Sequence, residues 1–258
     1  MKKIAFVTLF PDWIRSSLNH SIMARAEASG AVEFSVTNPR SFCYDQHKKV
    51  DDIPYGGHPG MLIKAEPVAL AIESVVRTQG AEHRDQGIIL PQKGESVRNE
   101  PEGGDNENPR IAIVITEPSG QKFEQPQAEE LATYDQIIFV SGHYEGIDHR
   151  VEETFATHVF SIGDYVLTNG ELPSLVMADA IVRLIPGVLG NGSSLEEESF
   201  QNNLLGAPNY TRPEVWRDKP IPDVLKSGNH GLIEKWRHAQ ALERTKARRP
   251  DLLDKNVD

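Results

Sequence analysis

Five short runs rich in Val, Ile and Phe, each separated from the next by a stretch able to form a helix, constrain this chain more than any other feature. The runs lie at residues 3–9, 31–36, 110–115, 136–140 and 158–162, and the helical stretches at 14–29, 67–78, 125–133 and 172–185. Strand-like runs alternating with helices predict an α/β fold, a mainly parallel sheet whose strands are joined by crossover helices. The first run follows Met1-Lys-Lys and stops at Pro11 and Asp12, too soon for a secretory leader, so it reads as the first strand. No apolar run approaches the roughly 18 residues that a membrane helix needs, and no membrane partner is expected. The stretch 172–185 is apolar nearly all round, with Ser174, Asp179 and Arg183 as its polar interior residues. Such a helix is expected to be buried on most faces, one of them against a second subunit.

Two polar stretches divide the chain. Residues 80–109 are rich in Gly and Pro and carry seven acids against three bases, the composition of a surface insertion. Residues 190–197 read as an interdomain linker, leaving 1–189 as the main domain and 198–258 as a small helical one. A net charge of −11 argues against generic nucleic-acid binding, which leaves a basic footprint. The charge is uneven, however: residues 212–249 hold ten Lys and Arg against five Asp and Glu, so an RNA partner stays open. With Cys43 as the single cysteine, a disulfide framework and a Cys-rich zinc site are excluded, and the cytoplasm is the expected compartment.

Three loops hold more special residues than a plain connection needs. In residues 51–61, Gly56, Gly57 and Gly60 permit the backbone excursions that let a loop wrap a flat ligand such as a nucleobase; a plain tight turn is the alternative. Residues 141–148, Ser-Gly-His-Tyr-Glu-Gly-Ile-Asp, follow a strand directly, where α/β folds place ligands. Residues 161–173, Ser-Ile-Gly-Asp-Tyr-Val-Leu-Thr-Asn-Gly-Glu-Leu-Pro, do the same before a helix, and their backbone groups suit an adenine edge. No dinucleotide or P-loop fingerprint is present, and His143 and His149 lack a third ligand at metal spacing. Taken alone, Arg183 four residues after Asp179 reads as an ion pair, and Glu196, Glu197 and Glu198 as a solvated acidic run.

In order along the chain, these segments carry Leu-Phe-Pro at 9–11, Val-Asp-Asp-x-Pro-Tyr-Gly-Gly-x-Pro-Gly-Met at 50–61, Gly-x-Tyr-Glu-Gly-Ile-Asp at 142–148 and Ser-Ile-Gly-Asp-Tyr-Val-Leu at 161–167. They continue with Gly-Glu-Leu-Pro at 170–173, Arg-x-Ile-Pro-Gly-Val-Leu-Gly at 183–190, Tyr-Thr-Arg-Pro-Glu at 210–214 and Leu-x-Ser-Gly-Asn-His at 225–230. The chain thereby resembles the bacterial tRNA (guanine-N1)-methyltransferase family, along nearly its whole length apart from 80–109. The resemblance implies an S-adenosylmethionine-dependent enzyme of the SPOUT class that methylates N1 of guanosine 37 in tRNA. It also implies a deep trefoil knot, a homodimer with its active site between subunits, and a helical C-terminal domain that grips tRNA.

By the same resemblance the cofactor is held by Gly142, Ile162, Gly163, Asp164, Tyr165, Val166, Leu167 and Gly170, with Pro118 and Gly120. The target base is met by Asp51, Tyr55, Gly56, Gly57, His58, Pro59 and Gly60. Two residues are catalytic: Glu198 takes the base position that removes the N1 proton, and Arg183 stabilises charge on O6. Magnesium is a candidate cofactor through the family, without a visible ligand motif. The chain departs from the family pattern at several points. Glu198 stands for an aspartate, His58 and Asn169 for glycines, and Glu117-Pro-Ser-Gly120 for Ser-Pro-Gln-Gly. These motivate an alternative, a non-catalytic or altered-specificity paralogue that binds tRNA and cofactor.

Overall fold

The computed structural model describes residues 1–79, 109–189 and 199–254. By its internal contacts the chain divides into two compact units, Met1–Leu189 and Gly190–Asp258.

In the first unit the apolar runs become β1 (Lys2–Val7), β2 (Val32–Thr37), β5 (Ile111–Lys122), β6 (Gln136–Ser141) and β7 (His158–Ser161). They form one sheet in the order β2-β1-β6-β5-β7, and every pairing is parallel. Successive side chains of a strand point to opposite faces, so a run apolar at every position supplies two cores. Ile4, Phe6, Val114, Ile137 and Phe139 face α1 (Pro11–Leu18), α2 (Ser21–Ala28), α4 (Gln125–Leu131) and α6 (Glu171–Val182). Ala5, Val7, Ile113, Ile138 and Val140 face α3 (Ala65–Gln79) and α5 (His149–Phe155). A small antiparallel pair, β3 (Asp51–Asp52) with β4 (Leu62–Ile63), brackets the glycine-rich loop. Because the five strands run one way, the segments that follow β1, β5, β6 and β7 emerge at the same edge of the sheet.

The second unit contains the short hairpin β8 (Val215–Trp216) and β9 (Lys219–Pro220), then α7 (His230–Arg248) and α8 (Asp251–Asp254). Asn229 starts α7 by accepting the N–H of Leu232. Buried Thr245 accepts the N–H of Leu205 at 2.9 Å while donating to its own helix at Ala241, which ties the preceding loop to α7. No helix among the described residues is long and apolar enough to cross a membrane.

Two expectations need correcting. The helix expected over 14–29 is two helices: Asn19 closes α1 on the carbonyl of Arg15, and Ser21, at φ 52°, re-aims the chain into α2. The strand expected over 110–115 runs on to Lys122, past the Pro118 and Gly120 expected to hold a cofactor. Thr116 and Gln121 both pair with Phe160 of β7, so residues 117–120 form an excess that bulges from the ladder. Helix α5 was not foreseen; its apolar positions, Val151 and Phe155, are too few for a periodic signal. The insertion at 80–109, apart from Pro109, the linker at 190–197 and Glu198 lie outside the described residues.

Candidate active site

In the first unit three segments close tightly on Gly170. Its N–H donates to the carbonyl of Gly142 at 2.8 Å, and its own carbonyl accepts from Ser174 Oγ at 2.8 Å and Thr116 Oγ1 at 3.2 Å. A Cβ here would lie 2.3 Å from Thr116 Oγ1 and 2.8 Å from the Gly142 nitrogen. The start of the β5 bulge, the end of β6 and the start of α6 thus meet where only a glycine fits. Gly120 is similarly confined, since a Cβ would lie 2.7 Å from the backbone of Val159 and Phe160. At Gly170 and Gly120 the glycine therefore has a steric cause, close approach of backbones.

Around that junction a cleft of about 240 Å³ opens between the bulge after Thr116, the loop 142–146 and the loop 161–170. Of the residues expected to hold a cofactor, Gly142, Ile162, Gly163 and Tyr165 line it, as do Val166, Leu167, Gly170 and Pro118. Asp164, which is exposed, and Gly120 are not among its lining residues. Ser161 shapes the last loop, donating to the Gly163 carbonyl at 3.0 Å and accepting the Gly163 N–H at 3.3 Å. Gly163 has φ 154°, and a Cβ would strike the Tyr165 ring at 2.5 Å. A cleft lined by backbone amides and by Tyr165, Ile162, Val166 and Leu167 fits a flat heteroaromatic ring carrying a polar tail. Sequence reasoning missed Thr116 and His143 as lining residues. Thr116 ends an apolar run with a hydroxyl, and His143 had been weighed only as a metal ligand.

The residues expected around the target base are outside the cleft but fastened to it. Glu145 donates its N–H to the Met61 carbonyl at 3.0 Å, Ile63 to Gly146 at 3.0 Å and Asp148 to Ile63 at 2.9 Å. The glycine-rich loop is thereby tied to the same segment that walls the cleft. Gly60, at φ 100°, leaves no room for a Cβ against the Glu145 side chain, 2.5 Å away. Gly56 and Gly57 also have positive φ with open space around them, and Tyr55, His58 and Pro59 are exposed. Asp51 sits in β3, half-buried.

Asp148 anchors the far end of this tie. It caps α5 by accepting the Arg150 N–H at 3.1 Å and grips the Arg150 guanidinium at 2.8 and 2.7 Å. The guanidinium holds its carboxyl below the usual 3.8. A depressed folded value means stability that is present above the unfolded pKa and lost as pH falls through the folded one. Asp148→Ala is expected to cost about 1 kcal/mol in urea unfolding at neutral pH. The gap from the parent should close as the pH falls below that ordinary carboxyl value, and a gap independent of pH would contradict this account.

Of the two residues expected to be catalytic, Arg183 is half-buried at the end of α6, its N–H on the Asp179 carbonyl at 3.3 Å. Glu198 lies outside the described residues. Glu171, the first residue of α6, is wholly buried and accepts from Thr8 Oγ1, while its Oε2 has no partner. Burial pushes its carboxyl up, opposed by the Thr8 bond and by His143. Among the described residues no cluster of three or more His, Cys, Asp or Glu is placed to hold a metal ion.

The family model described as tRNA (Guanine-1)-methyltransferase TrmD matches residues 1–101 and 104–255. A protein named tRNA (guanine-N(1)-)-methyltransferase from Lachnoclostridium phytofermentans is 45% identical over 257 residues, covering 97% of this chain and 90% of its own. Proteins of the same name from Anoxybacillus flavithermus and Gloeobacter violaceus are 45% and 44% identical, covering 98% and 97% of this chain. They cover 91% and 98% of their own lengths. A cleft at the open edge of a parallel sheet, walled by the motif glycines in their close contacts, and a family match running through both units lead to one conclusion: the chain belongs to the tRNA (guanine-1)-methyltransferase family.

Proposed function

We propose that this chain transfers a methyl group from S-adenosylmethionine to N1 of guanosine 37 in tRNA. The observation that carries the reading is the cleft at Gly170, whose wall is hydrogen-bonded to the glycine-rich loop, so that a cofactor pocket and a base-binding loop adjoin. When bound, S-adenosylmethionine supplies an electrophilic methyl on a sulfonium centre. Tyr165, Ile162 and Leu167 would hold its adenine, and the backbone of the loops 142–146 and 162–170 would meet its polar edges. Asp51, Tyr55 and residues 56–60 receive the guanine. Glu198 would remove the N1 proton, freeing the nitrogen lone pair to take the methyl as the carbon–sulfur bond to the sulfonium breaks and leaves a neutral thioether. The Arg183 fork stabilises the negative charge that deprotonation places on O6. No step is routed through magnesium.

The architecture in this reading is a SPOUT domain over 1–189 with a deep trefoil knot, a linker at 190–197 and a helical tRNA-binding domain over 198–258. The knot is supported by the family match alone. A homodimer is supported by Leu172 and Val176, one turn apart on α6 and both exposed. The tRNA role of the second unit is supported by its basic residues and exposed Trp216, over which Arg217 lies at 4.8 Å. A tRNA substrate places the work in the cytoplasm.

The test is transfer of labelled methyl to an unmodified tRNA transcript with guanosine at 36 and 37, beside a control with adenosine at 37. Label on the first RNA alone is the expected result. Glu198→Gln should then lower turnover about 10²- to 10⁴-fold. Labelling at another nucleotide would favour the altered-specificity paralogue. Cofactor and tRNA binding without any label would favour the non-catalytic one.

A further inference from the structure

A short turn precedes β3 and the glycine-rich loop behind it. Asp45 closes the turn: its carbonyl accepts the Lys48 N–H at 3.0 Å, and its carboxylate accepts the Lys49 N–H at 3.1 and 3.0 Å. Two cations from elsewhere in the chain hold the same turn. Arg40 donates to the Lys48 carbonyl at 3.4 Å, and Lys64, just after β4, donates to the Lys49 carbonyl at 2.9 Å. Arg40, Lys48, Lys49 and Lys64 are thus gathered on one turn of a chain whose net charge is −11. The acids on this stretch are Asp45, engaged by backbone, half-buried Asp51, and Asp52, which lies 3.8 Å from Lys49 and 3.9 Å from Lys64. Exposed pairs of that length contribute little and exchange readily for another anion. Tyr44, immediately before the turn, is 84% exposed, and Tyr55, beyond β3, is 99% exposed. Tyr44 helps line a cleft of about 330 Å³ between the 3₁₀ turn Pro39–Phe42 and α3, together with Phe42, Leu70 and Arg77. The basic turn borders this cleft: burial pushes the Cys43 thiol in its wall up, Asp45 adds to the push, and Lys64, Arg40 and Lys48 oppose it.

We propose that this turn is an RNA-contact surface of the first unit: Arg40, Lys48, Lys49 and Lys64 hold the phosphates flanking the target guanosine, and Tyr44 stacks on an unpaired neighbouring base. The proposal rests on the methyltransferase reading, which supplies the RNA and the loop that receives the guanine. Cations gathered beside exposed aromatic rings are how proteins hold single-stranded nucleic acid, with phosphates on the cations and bases on the rings. Only Val50 and β3 separate the turn from the glycine-rich loop, so nucleotides next to a guanine in that loop come within reach of the turn. The acidic charge of the chain as a whole gives this local basic cluster its contrast, since a polyanion is drawn to where the cations are rather than to the sum.

The experiment measures the affinity of the full chain for an unmodified tRNA transcript, and for its isolated stem-loop carrying guanosine 37, over a series of salt concentrations. Lys48 and Lys49 are exposed, and their backbone groups, not their side chains, close the turn, so the pair Lys48→Ala with Lys49→Ala should melt as the parent does. That pair should bind both RNAs about tenfold more weakly, with the slope of log affinity against log salt reduced by about 0.7 for each lysine. The KM for tRNA, rather than kcat, should carry the loss in turnover. Tyr44→Ser should weaken binding about tenfold with the salt slope unmoved, and Tyr44→Phe should retain parental affinity, because stacking uses the ring and not the hydroxyl. Parental affinity and salt slope in the lysine pair overturn the proposal, as does a loss seen with whole tRNA but not with the stem-loop. Equal losses in Tyr44→Ser and Tyr44→Phe overturn the stacking. A parent chain that binds neither RNA overturns the methyltransferase reading itself, whatever the variants do.

Discussion

Arg183→Ala is expected to lower kcat for methyl transfer by about 10²- to 10³-fold, the loss that follows removal of one donor aimed at a developing oxyanion. Deprotonating guanine N1 spreads negative charge onto O6, and a fixed fork of N–H donors stabilises that charge without reorganising. Arg183→Lys should recover only part of the loss, since an ammonium offers charge without the fork. Stability should barely move. Arg183 sits half-buried at the end of α6, where a cation interacts favourably with the helix dipole by about 0.3–1 kcal/mol. Steady-state kinetics beside a thermal melt separate the two effects. A variant with parental kcat would remove Arg183 from the mechanism, and a collapsed melting temperature would make its role structural.

Gly170→Ala should strike the fold and the cofactor together. Backbone strain is not the reason, because Gly170 has φ −85°, which alanine adopts freely. Space is: the new methyl carbon would stand 2.3 Å from Thr116 Oγ1, 2.8 Å from the Gly142 nitrogen and 2.9 Å from Ser141 Cα. Two of those three are backbone atoms of a buried strand end, which cannot swing aside. Overpacking of this kind costs about 3 kcal/mol or more. At that cost the melting temperature of a chain this size falls by about 6–12 °C. Prising Gly142 from Gly170 also opens the cleft wall, so cofactor affinity should fall with stability. Adding Thr116→Ala to Gly170→Ala removes the nearest clash but leaves both backbone contacts, and should restore only part of the loss. Full stability in the single variant would show that the three segments do not meet as tightly as described.

Part of the candidate cleft was legible in the sequence. The glycines at 142, 163 and 170 were singled out because they follow apolar runs, and they line the cleft at the sheet edge. Thr116 and Glu171 were not legible as partners of anything, although both stood in view. A threonine ending a strand and a glutamate opening a helix are unremarked in sequence, since their partners, Gly170 and Thr8, are 54 and 163 residues away. The bulge at 117–120 was equally silent, because its cause is a pairing with Phe160 that local composition does not encode.

The sequence by itself determined the five main strands and most of the helices between them, though not α5 or the break between α1 and α2. Continuous apolar runs bury on both faces of a sheet, and the runs at 4–7, 112–115 and 137–140 do so. It also determined, through collinear motifs, the family. Only the tertiary structure decided the strand order β2-β1-β6-β5-β7. It alone brought Thr116, Gly142 and Gly170 within a methyl group's width and buried Glu171 beside Thr8. The physical reason is that burial is a property of each segment, whereas adjacency is a property of pairs. An apolar strand satisfies its two faces beside any parallel neighbour, so its composition specifies that it is inside without specifying what lies next to it.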